Sequence, residues 1–342
     1  MLIVFFLMQC FTKLNRRGIF LFGWYSSRNH TGKFIIFTAP VYSLGLCFMT
    51  NFKSCKEGDS MKIGFIGAGK MGYTLGRHLK ACAASMCEIV GYYSQNIESA
   101  KDAAKFTDTA YYDDLEKLVC ACDVLFLTVP DGQIAVMADR LDRLSCSLDG
   151  KILCHTSGAL SSQVFSGMHS RIFGYSIHPI YAVSSKTESY INFSDCFITI
   201  EGHEVYQEEL FKLFRACGHD VKIISAKDKV KYHGAAVFSS NLVIGLYHMA
   251  VGLMSECGFT MEEAEKALKP LFKNNADKLF LSDCKTALTG PVERCDEGTV
   301  KKHIESLSGD EKIIYKLLSK ELVEIAEAKN NRDYSELKDL LQ

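Results

Sequence analysis

A chain of 342 residues, 48% hydrophobic and 23% charged, can bury a sizeable core and has room for two domains, which excludes a small stapled scaffold. A formal net charge of −1 leaves no global positive field for nucleic acid or an anionic membrane surface, so a small-molecule partner is expected and a nucleic-acid partner is not. The fourteen cysteines are scattered, with no Cys-x-x-Cys pair and Cys120 and Cys122 closest together; they read as reduced apolar residues of a cytoplasmic protein, and no metal site is expected.

Residues 1–60 differ from the rest. No Asp or Glu occurs from Met1 to Lys56, while Lys13, Arg16, Arg17, Arg28, Lys33, Lys53 and Lys56 are basic. The apolar runs Leu2 to Met8, Ile19 to Tyr25 and Phe34 to Met49 fall short of the roughly 18 to 20 unbroken residues that span a bilayer. A start codon placed too early, a targeting segment or added structure all fit, and the extension stands apart from the fold of 61–342. No membrane is expected for that body.

Lys62 to Ile66 is a short apolar run suited to a buried parallel strand, and it leads into Gly67-Ala68-Gly69-Lys70-Met71-Gly72. A helix follows over Met71 to Ala81, then a second strand over Ile89 to Tyr93. Strand, glycine turn and helix together form a dinucleotide fingerprint. Gly67 permits the tight turn, Gly69 lets the backbone approach a pyrophosphate, and Gly72 allows close helix-to-strand packing, with the anion on the helix-start N–H groups of Lys70 and Met71. An Asp or Glu after the second strand would bind the ribose of NAD and repel a 2′-phosphate; Ser94-Gln95-Asn96 stands there instead, which favours NADP over NAD. No arginine stands there to clamp the phosphate, and Lys101 and Lys70 are the nearby cations.

Two more buried strands, Val124 to Pro130 and Lys151 to His155, end in polar turns. Ligands collect at the carboxyl ends of parallel strands, so Val129, Pro130 and Asp131 are expected to touch cofactor, and Thr156, Ser157 and Gly158 substrate. Simple strand termination by Pro130 or Gly158 is the plainer alternative. Strands over Phe173 to Ile177, Phe197 to Glu201 and Val221 to Ile224 follow, the last two flanking a helix over Val205 to Cys217.

Beyond Ser225 strand patterns stop, and Lys227 to Cys257 reads as one long helix closed by Gly258. His233, Val237, Asn241, Ile244 and His248 then share a face, a polar interruption of an apolar stripe. Satisfied core groups would also explain it. Helices over Met261 to Leu281 and Asp310 to Lys329 follow, and between them Gly290-Pro291 breaks the chain and Asp296 can cap a helix entered at Glu297. Arg294 in that loop could bind a substrate carboxylate or a cofactor phosphate.

Six separated motifs in order resemble the Rossmann-like proteins that carry domain of unknown function 2520. They are the turn from Gly67, His155 to Leu160, Ser176-Ile177-His178-Pro179, His233 to Ala236, Ser240-Asn241, and Ala287 to Asp296 with Thr299 and His303. Cys295 departs from the pattern, since relatives commonly have glycine there. More distantly the chain is similar to 6-phosphogluconate and 3-hydroxyisobutyrate dehydrogenases and pyrroline-5-carboxylate reductases. That resemblance implies an α/β fold with an N-terminal Rossmann domain over 61–225, an all-helical C-terminal domain of the 6-phosphogluconate dehydrogenase type over 226–342, and a homodimer formed through the helical half. Hydroxyacid members carry a Lys with an Asn four residues later on the first long helix; Val237 and Asn241 stand at those places here.

The expected activity is NADP-dependent hydride transfer to or from a small carbonyl, imine or hydroxyl substrate between the domains. His233 is the first candidate general acid or base, His178 the second, and Asn241 would orient the substrate oxygen. A non-catalytic NADP-binding sensor is the alternative. It would leave the cleft beside the nicotinamide apolar or closed.

Overall fold

The glycine turn and the strand ends around it are held by an eight-stranded sheet, whose order explains why ligand groups collect where they do. The structure is a computed structural model, and it describes residues 60–342 together with the backbone of two short antiparallel strands, β1 (Phe11–Leu14) and β2 (Phe20–Gly23). The chain divides into two units, Met1–Gly58 and Asp59–Gln342. The apolar runs at Leu2 to Met8 and Phe34 to Met49 lie outside the described residues.

In the second unit strand and helix alternate through β3 (Met61–Ile66), α1 (Lys70–Cys82), β4 (Cys87–Tyr93), α2 (Ile97–Thr107), β5 (Ala110–Tyr112), α3 (Leu115–Ala121), β6 (Val124–Leu127), α4 (Asp131–Asp142) and β7 (Ile152–His155). Then come β8 (Phe173–Ile180), β9 (Phe197–Gly202), α5 (Gln207–Ala216) and β10 (Val221–Ile223). The sheet order is β10-β9-β8-β7-β6-β3-β4-β5, parallel throughout except where β9 runs against β8. Strand order reverses between β3 and β6, and in an open α/β sheet that switch point opens a ligand crevice. Helices α1, α2 and α5 pack one face, with Leu75, Leu79, Ala103 and Leu213 against Ile63, Phe65 and Ile198. On the other face α3 and α4 put Leu118, Ile134 and Leu141 against Leu125 and Leu127. With both faces covered, the strands read as continuous apolar runs.

β8 runs further than the sequence suggests. Its pairing with β7 stops at His155 opposite Ser176, so Ile177 to Ile180 bond to β9 alone. Pro179 is tolerated there because its missing N–H has no ladder partner to lose on the β7 side.

The helical part consists of α6 (Lys229–Phe238), α7 (Asn241–Glu256), α8 (Met261–Leu281), α9 (Cys284–Ala287), α10 (Glu297–Ser306), α11 (Gly309–Asn330) and α12 (Ser335–Leu340). The single long helix expected over 227–257 is in fact two. Ser240 leaves helical geometry at φ −128, ψ −86, and the Ser239 and Ser240 hydroxyls both donate to the Ala236 carbonyl, at 3.1 and 2.7 Å. Local side-chain bonding of this kind competes with the helix ladder and breaks it. Helices α10 to α12 close on a small core of Val300, Val323, Tyr334 and Leu337. Asp296 caps α10 as its sequence suggests, its Oδ1 accepting from the Thr299 N–H at 3.0 Å. The preceding Cys295 holds φ +57, the left-handed region that glycine occupies without strain, so the departure from the relatives' glycine falls where the backbone makes a side chain costly.

Candidate active site

The turn after β3 is built to receive an anion. Gly67 has φ +108, and a Cβ there would lie 2.6 Å from the Thr128 carbonyl oxygen; one on Gly72 would lie 2.8 Å from Thr128 Oγ1. Thr128 Oγ1 donates to the Gly67 carbonyl at 2.7 Å and ties the turn to the end of β6. Gly69 has nothing nearer than 3.9 Å from such a Cβ, so its backbone faces open space. It caps α1 without any side chain, and the helix starts with no acidic residue in its first turn. The N–H groups at the start of α1, among them those of Lys70 and Met71, therefore have neither a cap nor a carboxylate competing with an anion. These features fit the pyrophosphate of a dinucleotide.

At the end of β4, Ser94 is half-buried and Gln95 exposed, while the Asn96 side chain caps α2 by accepting from the Glu98 and Ser99 N–H groups at 3.0 and 3.3 Å. Lys101 pairs with Glu98 at 2.8 Å. Asp131 opens α4 directly after Val129 and Pro130, and its carboxylate accepts from Ser157 Oγ at 2.6 Å, which joins the β6 and β7 rims.

The second half of the site lies beyond β7 and β8. His155 is fully buried; its Nδ1 accepts from the Ser157 N–H at 3.2 Å and its Nε2 faces the Ser161 carbonyl at 3.2 Å, the pattern of one neutral tautomer. Burial takes its pKa down to about 4. Ser157 Oγ also accepts from the Leu160 N–H at 3.0 Å, so this side chain holds the turn together. Thr156 is half-buried beside it.

Over this turn sit two imidazoles. A Cβ on Gly158 would lie 2.8 Å from His233 Cε1, closer still to His233 Nδ1, and 2.9 Å from His178 Cε1. The His178 and His233 rings stand edge to face at 5.6 Å. Only a residue without a side chain lets both rings approach. Tyr232 Oη lies 2.8 Å from His178 Nδ1 and 3.1 Å from Thr199 Oγ1, which also reaches the His178 carbonyl at 3.3 Å, so the phenol ties the imidazole to β9. Burial, then the Lys229 charge, holds the His178 pKa near 3, so the ring is neutral at physiological pH. His233 Nδ1 is buried without a hydrogen-bond partner.

Beneath the turn lies Lys229, 1% exposed, with Nζ donating to the Ser157 carbonyl at 2.9 Å and to Ser176 Oγ at 2.6 Å. Burial brings its pKa down to about 8 against the opposing pull of Glu201 and Asp131. Lys229 and Tyr232 do not stand out in the sequence, where Lys229 reads as one of three charges opening a helix. The usable signal is its spacing: Lys229 precedes His233 by four residues and shares its helix face.

Two other candidates are placed elsewhere. Asn241 begins α7 past the break, exposed, its Oδ1 accepting from Ser240 Oγ at 3.2 Å; no hydrogen bond joins it to His233 among the described residues. The break removes the common face that an unbroken helix would have given them. The Arg294 side chain is exposed in the loop before α10; hydrogen bonds from Lys329 and Asn330 hold the Glu293 carboxyl below its usual range and those from Thr299 do so for Asp296, with the Arg294 charge a minor addition to both. Val237 stands four residues before Asn241, and the buried ammonium beside this site is Lys229, eight residues before Val237.

A family model described as a Rossmann-like domain matches residues 51–179, and one described as domain of unknown function 2520 matches residues 196–322. No curated protein matches the sequence. Among solved structures, a Thermotoga maritima protein is 25% identical with a TM-score of 0.62, over 79% of this chain and 100% of that one. A Bacteroides fragilis protein named "putative NADP oxidoreductase" is 24% identical with a TM-score of 0.58, over 78% of this chain and 98% of that one. The 1-pyrroline-5-carboxylate reductase of Streptococcus pyogenes is 16% identical with a TM-score of 0.51, over 82% and 98%. The last two share the fold.

Proposed function

We propose that this chain, a Rossmann-like domain followed by a domain of unknown function 2520, is a cytoplasmic NADP-dependent oxidoreductase acting on a small carbonyl, imine or hydroxyl compound. One observation carries the reading: the anion-ready turn at Gly67 and the buried polar cluster around Gly158 lie on one rim of the sheet, linked by the Asp131–Ser157 hydrogen bond. The likeness to a protein named as an NADP oxidoreductase points the same way. Ser94 and Gln95 after β4 bring no negative charge against a 2′-phosphate, which favours NADP.

Bound NADPH supplies the hydride. His233 delivers the proton to the substrate oxygen or nitrogen that the hydride addition leaves electron-rich, and takes it back in the reverse direction. Its partnerless buried nitrogen suits that exchange. His178, neutral and held by Tyr232 through Nδ1, turns its other ring nitrogen, Nε2, to the same substrate atom. Lys229 is a positioning residue. Its ammonium fixes the Ser157 carbonyl, and its charge adds to the burial that keeps His178 neutral.

The protein acts as a homodimer. Helices α7 and α8 bury little, only Val251 and Ala264 being fully enclosed, while Ile244, Leu271, Phe280 and Leu281 are 69%, 60%, 87% and 88% exposed. Large apolar side chains left exposed along two helices support an association face there. By length and composition Ala226–Glu256 could cross a membrane. The break at Ser239–Ser240 and the buried, hydrogen-bonded Lys229 speak against that. A monomeric mass by light scattering overturns the dimer.

NADPH oxidation across ketoacids, aldehydes and cyclic imines, with wild type and His233→Ala, tests the activity. Equal turnover in both removes His233 from the chemistry. NADPH binding without turnover of any compound favours the sensor.

A further inference from the structure

At the end of α1 opposite the glycine turn, the fold gathers three side chains that the sequence keeps far apart. His78 and Cys82 are one helical turn apart on α1, and Cys217 caps the C-terminus of α5. The imidazole nitrogen and the two sulfurs all lie within 4.8 Å of one another, and Cys82 Sγ is 3.8 Å from His78 Nδ1. Tetrahedral zinc, with Zn–S near 2.3 Å and Zn–N near 2.05 Å, sets an S to N separation of about 3.6 Å. The Cys82–His78 pair is already at nearly that spacing.

A second observation concerns protonation. The His219 Nδ1 faces the Cys196 carbonyl at 2.9 Å, so the proton sits on Nδ1 and the Nε2 lone pair is bare. That Nε2 is buried without a partner, and so is His78 Nε2; the two rings are 4.8 Å apart, centroid to centroid. A neutral imidazole that offers its Nδ1 lone pair to a metal carries its proton on Nε2, next to a ring with a free lone pair. Metal-bound histidines use such an outer partner.

We propose that His78, Cys82 and Cys217 bind a thiophilic divalent cation of the zinc type, and that the His78 Nε2–H, unpartnered here, then turns to the neighbouring His219 Nε2 lone pair. Each thiol loses its proton to solvent as its sulfur takes the metal, so two protons leave per ion bound. Cys82 is exposed, which leaves the fourth position open to water. The ion fastens the end of α1 to the end of α5, away from the cofactor turn.

The test uses the full chain, metal-stripped and reduced. Cobalt(II) as probe should bind one equivalent with a thiolate-to-metal charge-transfer band, and zinc should displace it. Affinity should rise about a hundredfold per pH unit below the thiol pKa, two protons being released. Cys82→Ser, an exposed and conservative change that removes a direct ligand, should weaken binding by more than the roughly 100-fold that loss of an outer partner costs, while NADPH binding stays as in wild type, which shows the variant is folded. Zinc should raise the Tm of wild type and not of Cys82→Ser. Cobalt bound without the thiolate band, or equal affinity in Cys82→Ser, overturns the site. So does air oxidation that joins Cys82 to Cys217 equally fast with and without zinc.

Discussion

Replacing Gly158 with alanine places a methyl group where two imidazoles now rest. The added Cβ would lie 2.8 Å from His233 Cε1 and 2.9 Å from His178 Cε1, against the roughly 3.4 Å at which ordinary contact begins. Each ring must retreat by about 0.5 Å or more. The Gly158 backbone cannot retreat in their place, since the turn is pinned by the Asp131, His155, Leu160 and Lys229 contacts of Ser157. Overpacking of this order costs about 1 to 3 kcal/mol of stability. Misplacing catalytic groups by about 1 Å costs on the order of a hundredfold in rate. Gly158→Ala should therefore lose about ten- to a hundredfold in kcat with the NADPH Kd unchanged, read by NADPH oxidation and by fluorescence titration of the cofactor. Gly132→Ala is the control, because nothing lies within 4 Å of its added Cβ. Turnover of Gly158→Ala within a factor of two of wild type would falsify the placement of both rings in the chemistry.

Gly69→Ala separates binding from folding: its Cβ meets only Thr128 O at 3.9 Å, so Tm without cofactor should hold while NADPH affinity falls about tenfold or more. An unchanged Kd would mean the pyrophosphate does not sit on this turn. Ser94→Asp sets a carboxylate where the 2′-phosphate is expected, and the NADPH over NADH preference should drop at least about tenfold; an unaltered ratio places that phosphate elsewhere. Acid should unfold the protein. Burial holds the folded His78 and His155 rings near pKa 4, below the ordinary histidine value of about 6.5, so the unfolded chain binds more protons as pH falls and stability is lost from about pH 6.5 downward. Each contributes a loss of about 2 kcal/mol at pH 5, and urea midpoints that do not move between pH 7 and 5 would contradict the burial of these rings.

The dinucleotide half was legible because its determinants are local. A strand, a glycine turn and a helix lie within Lys62 to Cys82, and period and glycine spacing announce them. The break between α6 and α7 was not, since Ser239 and Ser240 act through hydroxyl bonds to Ala236 that no hydrophobic period records. Asn241 was drawn onto the wrong face by that omission. Lys229 escaped notice because lysines at helix starts are usually solvated, and its burial follows from Ser157 and Ser176 arriving from two other strand ends. His78, Cys82 and Cys217 illustrate the same limit, the last being 135 positions from Cys82 and meeting it only through the stacking of α1 and α5 on one sheet face.

The overhang of β8 past β7 gives the site a graded wall. Four residues extend about 13 Å beyond the last β7 pair, bonded to β9 along their length. Side chains two apart share a face, so Ser176, His178 and Ile180 form one column rising from the sheet. At its foot Ser176 holds an ammonium, in the middle His178 meets His233, and at the top Ile180 pairs with Phe197, 38% and 40% exposed. Polarity declines with height. A molecule laid along this column meets the His178 and His233 rings at one end and hydrocarbon at the other. Because the wall is a hydrogen-bonded ladder and not a loop, selectivity along it changes in steps of two residues, one side chain at a time.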